Sequence, residues 1–105
     1  MKKLLILGSG GYGKTVADVA AQLGCYRKIA YLDDNKAGNP GVLGNCEEFL
    51  QFADGDTEIY PAFGNNTERM AWMERLEELE IPVPTLVHPS AYVSPTASLY
   101  PGVTV

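Results

Sequence analysis

At 105 residues the chain has room for one compact domain. It is 46% hydrophobic and 20% charged, a globular balance that excludes a disordered polyelectrolyte. Thirteen acidic residues against eight basic ones give a net charge of −5, which excludes a general nucleic-acid or anionic-membrane binder but not a single phosphate held by backbone amides.

The first element is a strand. Leu4 to Leu7 is a continuous apolar run, as expected of a strand covered on both faces. It is too short for a signal-peptide core, and no apolar run nears the roughly 20 residues of a membrane span. Gly8-Ser9-Gly10-Gly11-Tyr12-Gly13 follows. Val16, Val19, Ala20 and Leu23 then recur at helical spacing, with Gly24 placed to end the helix. Ile29 to Leu32 is a second strand, stopped by Asp33-Asp34-Asn35. Strand, helix and strand in this order form a βαβ unit with a right-handed crossover.

Residues 35–56 read as loop, with one short helix over 47–52. Glu58 to Phe63 reads as a third strand, and Pro61 requires an edge or a strand end. Asn65, with Glu68 three residues on, caps the next helix. Its apolar face is expected at Met70, Met73, Leu76 and Leu79, with Trp72 off that face and Glu74, Glu77, Glu78 and Glu80 solvated. Pro82 and Pro84 end it and stiffen the connector.

The last segment changes character. An aliphatic residue recurs every six positions at Val87, Val93, Leu99 and Val105; a small or β-branched one recurs at Ala91, Ala97 and Val103; proline recurs at Pro89, Pro95 and Pro101. Hexads of this kind build the sides of a triangular parallel β-helix coil. A single coil cannot bury its own interior, so the pattern predicts that the chain is the N-terminal portion of a longer protein. The expected architecture is a small three-layer α/β Rossmann-like domain with a short parallel sheet over residues 1–84, then the first β-helix coil over 85–105.

Gly8-x-Gly10-x-x-Gly13 fits a dinucleotide fingerprint, and Asp33 lies twenty residues past Gly13. Glycines let the backbone approach a diphosphate, and the following helix offers free N–H groups and its positive dipole end. Asp33 or Asp34 can accept from ribose hydroxyls or a base edge. Lys14 is either a phosphate partner or a solvated cation. Tyr12 either stacks on the ligand or packs the loop. Gly64 and Asn65 sit at the carboxyl end of the third strand, where open α/β sheets bind ligands, and Asn65 also suits an N-cap. Arg69 is a further phosphate candidate. One mononucleotide half suits a nucleotide sugar better than NAD. His88, the single histidine, falls at a hexad position with no carboxylate partner in sequence and reads as a packing residue. Cys25 and Cys46 lie far apart without metal-ligand spacing, so neither a disulfide framework nor a metal site is expected, and the default compartment is the reducing cytoplasm.

Four stretches in order resemble a bacterial sugar acetyltransferase family, the group of sialic-acid O-acetyltransferases and bacillosamine N-acetyltransferases. They are Gly8-Ser-Gly-Gly-Tyr-Gly-Lys14, Tyr31-Leu-Asp-Asp-Asn35, Phe63-Gly-Asn-Asn-Thr-Glu-Arg69 and Leu86 to Ala97. The resemblance implies a UDP-sugar site lined by Gly10, Gly11, Tyr12, Asp33, Asp34, Gly64 and Asn65, to which the glycine fingerprint and the helix start add Gly8, Gly13 and Lys14. It implies a left-handed β-helix, which in the longer parent forms a homotrimer and holds acetyl-CoA. The loop position of Tyr12 is commonly histidine or another aromatic in that family. The catalytic base implied is a histidine on a later coil, so no catalytic residue is expected in this chain. Two other readings stand beside it: a small NAD-binding oxidoreductase domain, and a non-catalytic module that senses a nucleotide and assembles through its repeats.

Overall fold

Four parallel strands organise the chain. β1 (Lys2–Leu7), β2 (Tyr26–Leu32), β3 (Val42–Gly44) and β4 (Thr57–Pro61) lie in one sheet in the order β3-β2-β1-β4. α1 (Gly11–Leu23) joins β1 to β2. A single 3-10 turn (Cys46–Glu48) running into α2 (Phe49–Phe52) joins β3 to β4, and α3 (Asn66–Glu78) follows β4. The computed structural model describes residues 2–34 and 41–87. The hexads from His88 onward, and with them the expected β-helix coil, lie outside the described residues.

The sheet is buried on both sides, which is why β1 reads as an unbroken apolar run. Leu4 and Ile6 face α1 and pack with Val16, Val19, Ala20 and Tyr60. Leu5 and Leu7 face the other way and pack with Ala30, Leu32, Phe49, Ile59, Trp72 and Leu76. The chain moves outward from β1 through β2 to β3, then returns to the far side of β1 as β4. With a common crossover hand, these opposite directions put α1 on one face and α2 with α3 on the other. This is a Rossmann-like half-fold, and its switch point lies between β1 and β4.

The helix α1 ends as its sequence indicates, with Gly24 in the left-handed conformation and its N–H on the Ala21 carbonyl at 3.2 Å. Pro61 is the last residue of an outer strand, where its missing N–H costs no ladder bond. No helix among the described residues is long and apolar enough to cross a membrane.

Two expectations are corrected. The segment taken as loop contains β3, a three-residue strand whose pairing with β2 rests on backbone geometry and not on an apolar pattern. The buried face of α3 is also different: Trp72 and Leu76 are buried, whereas Met70 and Leu79 are 56% and 46% exposed. The indole decides the rotation of the helix, because burying its large area outweighs two flexible side chains. Trp72 meets Phe49 edge to face at 5.4 Å and stacks on Phe63 at 6.5 Å. The Arg75 guanidinium lies over both Trp72 and Phe49, 4.7 and 5.0 Å from the ring centroids, and grips Glu47 through two hydrogen bonds of 2.8 and 2.9 Å. That grip holds the exposed Glu47 carboxyl below its ordinary range.

Beyond α3, Glu80 takes a left-handed φ of 57° and Ile81 N–H returns to the Leu76 carbonyl. Ile59 N–H, on the outer edge of β4, bonds to the Pro82 carbonyl at 3.1 Å. Ile81 and Val83 pack on the α3 side of the sheet, and Leu86 is buried on the α1 side. The connector therefore straps the β4 edge and passes from one face to the other.

Leu76→Ala should cost about 2–5 kcal/mol of unfolding free energy in a urea titration, and Met70→Ala less than about 0.5 kcal/mol.

Candidate functional site

The carboxyl ends of the strands bring the sequence-selected residues to one rim. Gly8 leaves β1 with φ +99°, a conformation open to glycine, and a Cβ there would press the Ala62 carbonyl at 3.0 Å. The loops after β1 and β4 thus touch at the switch point. Gly8 N–H is held by the Leu32 carbonyl at 2.8 Å, which ties the start of the glycine loop to the end of β2.

Each glycine has a separate task. A Cβ on Gly13 would lie 2.0 Å from the Gly8 carbonyl oxygen, so the third glycine lets α1 sit directly on the end of β1. A Cβ on Gly10 or Gly11 would meet nothing within 4 Å; both face open space, as does Gly64 across the switch point. Gly10 is the N-cap of α1 and has no side-chain capping bond. The amides of Gly11, Tyr12 and Gly13 occupy the first helical turn, where the backbone has no carbonyl one turn back to bond. The turn carries no acidic side chain, so its partial positive charge is not offset from within the helix. Lys14 N–H makes the first helical bond, to the Gly10 carbonyl at 3.0 Å, and the residue is exposed.

Asp33 and Asp34 end β2 beside this turn. Asp33 Oδ2 accepts from Ser9 N–H at 2.8 Å and from Ser9 Oγ at 2.6 Å. Asp34 is exposed, and its Oδ1 accepts from Cys46 N–H at 3.2 Å. Asp33 N–H bonds to the Gly44 carbonyl at 3.0 Å and so holds the end of β3 against the same rim. Across the switch point Asn65 caps α3, its side chain accepting Glu68 N–H at 3.0 Å. The half-buried Arg69 is one turn on.

Tyr12 turns inward. Its hydroxyl bonds Tyr60 Oη at 2.8 Å and the rings meet edge to face at 6.1 Å, so the loop is stapled to the α1-side core. Ser9, 3% exposed, joins the candidate site through Asp33 and was not singled out by the sequence. Its signal is a small hydroxyl residue between two glycines after a buried strand, a place where a buried Oγ must find a partner. A buried carboxylate, Glu58, lies away from this rim at the amino end of the sheet and is held there by Tyr26 Oη at 2.6 Å and Lys2 Nζ at 3.0 Å. Burial first, then Glu58, pushes the Tyr26 phenol well above its usual range. The described residues hold no group of histidine, cysteine and carboxylate side chains suited to a metal. The rim thus sets the amides of the first α1 turn beside two carboxylates that accept from Ser9 and from the Cys46 N–H.

The PglD N-terminal domain family matches residues 3–76, from β1 into α3. This chain belongs to that family. The UDP-N-acetylbacillosamine N-acetyltransferase of Bacillus subtilis is 30% identical over all of this PglD N-terminal domain chain and 51% of its own length. The acetyltransferase domain of PglB from Neisseria gonorrhoeae superposes with a TM-score of 0.88 at 37% identity, covering 99% of this chain and 53% of that one. It has also been solved with acetyl coenzyme A. PerB from Caulobacter crescentus, solved with CoA and GDP-perosamine, superposes with a TM-score of 0.82 at 27% identity, covering 100% and 51%. The chain spans about half the length of these relatives.

Two outcomes test this geometry. Gly13→Ala should destabilise the PglD N-terminal domain by about 1–3 kcal/mol, since the clash is with backbone, whereas Gly11→Ala should leave stability unchanged or raise it by up to about 1 kcal/mol. Burial, reinforced by the charges of Asp34 and Asp33, pushes the Cys46 thiol up to about 12. Its contribution to stability is fully present below about pH 8.5 and is lost as the pH rises toward 12. A thiol-reactive dye at mildly alkaline pH should label exposed Cys25 at once and Cys46 only on unfolding.

Proposed function

We propose that this chain is the nucleotide-sugar-binding portion of an acetyl-CoA-dependent sugar acetyltransferase. The observation that carries the reading is the first turn of α1, which has no side-chain cap and opens at the switch point beside two carboxylates. The diphosphate docks on the amides of Gly10, Gly11, Tyr12 and Gly13, with Gly8 shaping the turn and Lys14 adding charge. Asp33 and Asp34 mark the nucleoside side, and Gly64 and Asn65 bound the opposite wall. UDP is the first choice of nucleotide, in keeping with the substrate named for the B. subtilis relative; GDP, named in the PerB complex, is the alternative.

Residues 1–84 form the binding domain in this reading, and 85–105 begin a left-handed β-helix. In the longer protein that helix brings three copies together, holds acetyl-CoA and supplies the catalytic histidine from a later coil. The acceptor amine or hydroxyl attacks the thioester carbonyl as that base removes its proton, and CoA leaves as the thiol. The cytoplasm, where a nucleotide sugar and an acetyl thioester meet, is the compartment that goes with this reading. The glycine fingerprint with Asp33 also suits NAD, so NAD is the control ligand.

Calorimetric titration should give saturable heat with UDP or GDP and none with NAD. Heat with NAD alone would replace this reading by an oxidoreductase domain. Gly11→Ala should weaken nucleotide binding by about tenfold, because the new methyl group stands where the diphosphate meets the amides.

A further inference from the structure

The bonds between Ser9 and Asp33 give the glycine loop an internal constraint that its glycines lack. Gly8 takes a positive φ and a Cβ on Gly10 or Gly11 would meet nothing within 4 Å, so no side-chain contact of these glycines fixes the turn. Ser9 stands between them, buried, and both of its donors converge on one oxygen, Asp33 Oδ2, at 2.8 and 2.6 Å. A hydroxyl carries a single proton, and that of Ser9 is directed at Asp33 and not at the rim. A carboxylate oxygen accepting two donors is a strong, charge-assisted anchor. Asp33 is itself fixed through its N–H to the Gly44 carbonyl, and Gly8 N–H is fixed to the Leu32 carbonyl. The loop is thereby referenced to the ends of β2 and β3.

We propose that Ser9 and Asp33 form a positioning clamp, through which Asp33 raises affinity for the diphosphate of a nucleotide sugar by holding the loop amides in their binding geometry. The clamp rests on the function proposed above. Ser9→Ala removes one bond while keeping the Asp33 charge, so a loss of affinity there reports on the clamp alone. Asp33→Asn is isosteric and weakens both bonds.

The test is a double-mutant cycle of Ser9→Ala and Asp33→Asn, read by UDP and GDP titration together with amide hydrogen exchange. Each single variant should bind about tenfold more weakly and the double variant no more weakly than the worse single, because both break one device. In Asp33→Asn the Gly8 and Ser9 amides should exchange faster, while Leu5 and Ile6 in β1 keep their protection. Wild-type affinity in Ser9→Ala overturns the clamp, as do losses that multiply to about a hundredfold in the double variant, which would show that the two residues act separately. If Ser9→Ala does not fold, Asp33→Asn decides alone: weaker binding with unchanged loop exchange overturns the clamp, and weaker binding with faster exchange supports it. A wild-type protein that binds neither UDP nor GDP overturns the nucleotide reading, a different result from a wild type that binds and a variant that equals it.

Discussion

Everything at the rim depends on how closely α1 approaches the end of β1. The space between Gly13 and the Gly8 carbonyl admits a hydrogen and nothing larger. That contact sets the helix over the sheet, which in turn aims its first amides at the switch point. Move the helix outward by the width of a methyl group and Val16, Val19 and Ala20 lose their seat against Leu4 and Ile6. The same displacement would carry the amide donors away from the Asp33 side of the crevice. Packing and the placement of the loop amides are thus one constraint here, met by a residue that contributes no side chain.

The two faces of the sheet are stabilised differently. The α1 side is an aliphatic layer with a tyrosine pair at its rim, Tyr12 hydrogen-bonded to fully buried Tyr60. The other side is built on aromatics, with Trp72 between Phe49 and Phe63 and Arg75 laid across the outer edge. The edge-to-face contact of Phe49 with Trp72, under the Arg75 guanidinium, holds α3 to its short partner α2. Asn65 and Gly64, at the start of α3, inherit their place from that stack.

Much of this was legible from the chain because local and tertiary demands agree. The apolar run of β1, the glycines, the helix end at Gly24 and the cap at Asn65 each follow from one backbone requirement that neighbouring residues also serve. What escaped was set at a distance. β3 is three residues long and depends on Tyr31 and Leu32 for its pairing, so no period marks it. The face of α3 was misjudged because methionine and leucine spacing is a weaker guide than the space Phe49 and Phe63 leave for one indole. At the rim, the fingerprint picks out the glycines and Asp33, which the fold brings together at the carboxyl ends of the strands. It could not show that Ser9 claims Asp33 or that the Cys46 amide reaches Asp34, since the partners follow different strands of the sheet.

The strap over β4 has a consequence for solubility. Parallel sheets are open ladders, and each outer strand offers unpaired amides to any passing chain. Here one margin is crossed by the prolyl connector, whose Pro82 carbonyl takes the Ile59 amide. The opposite margin is β3, whose brevity gives an incoming strand almost no rungs to climb. Among the described residues the sheet therefore shows little template for cross-β growth, and at β4 it is a turn of chain that closes the margin.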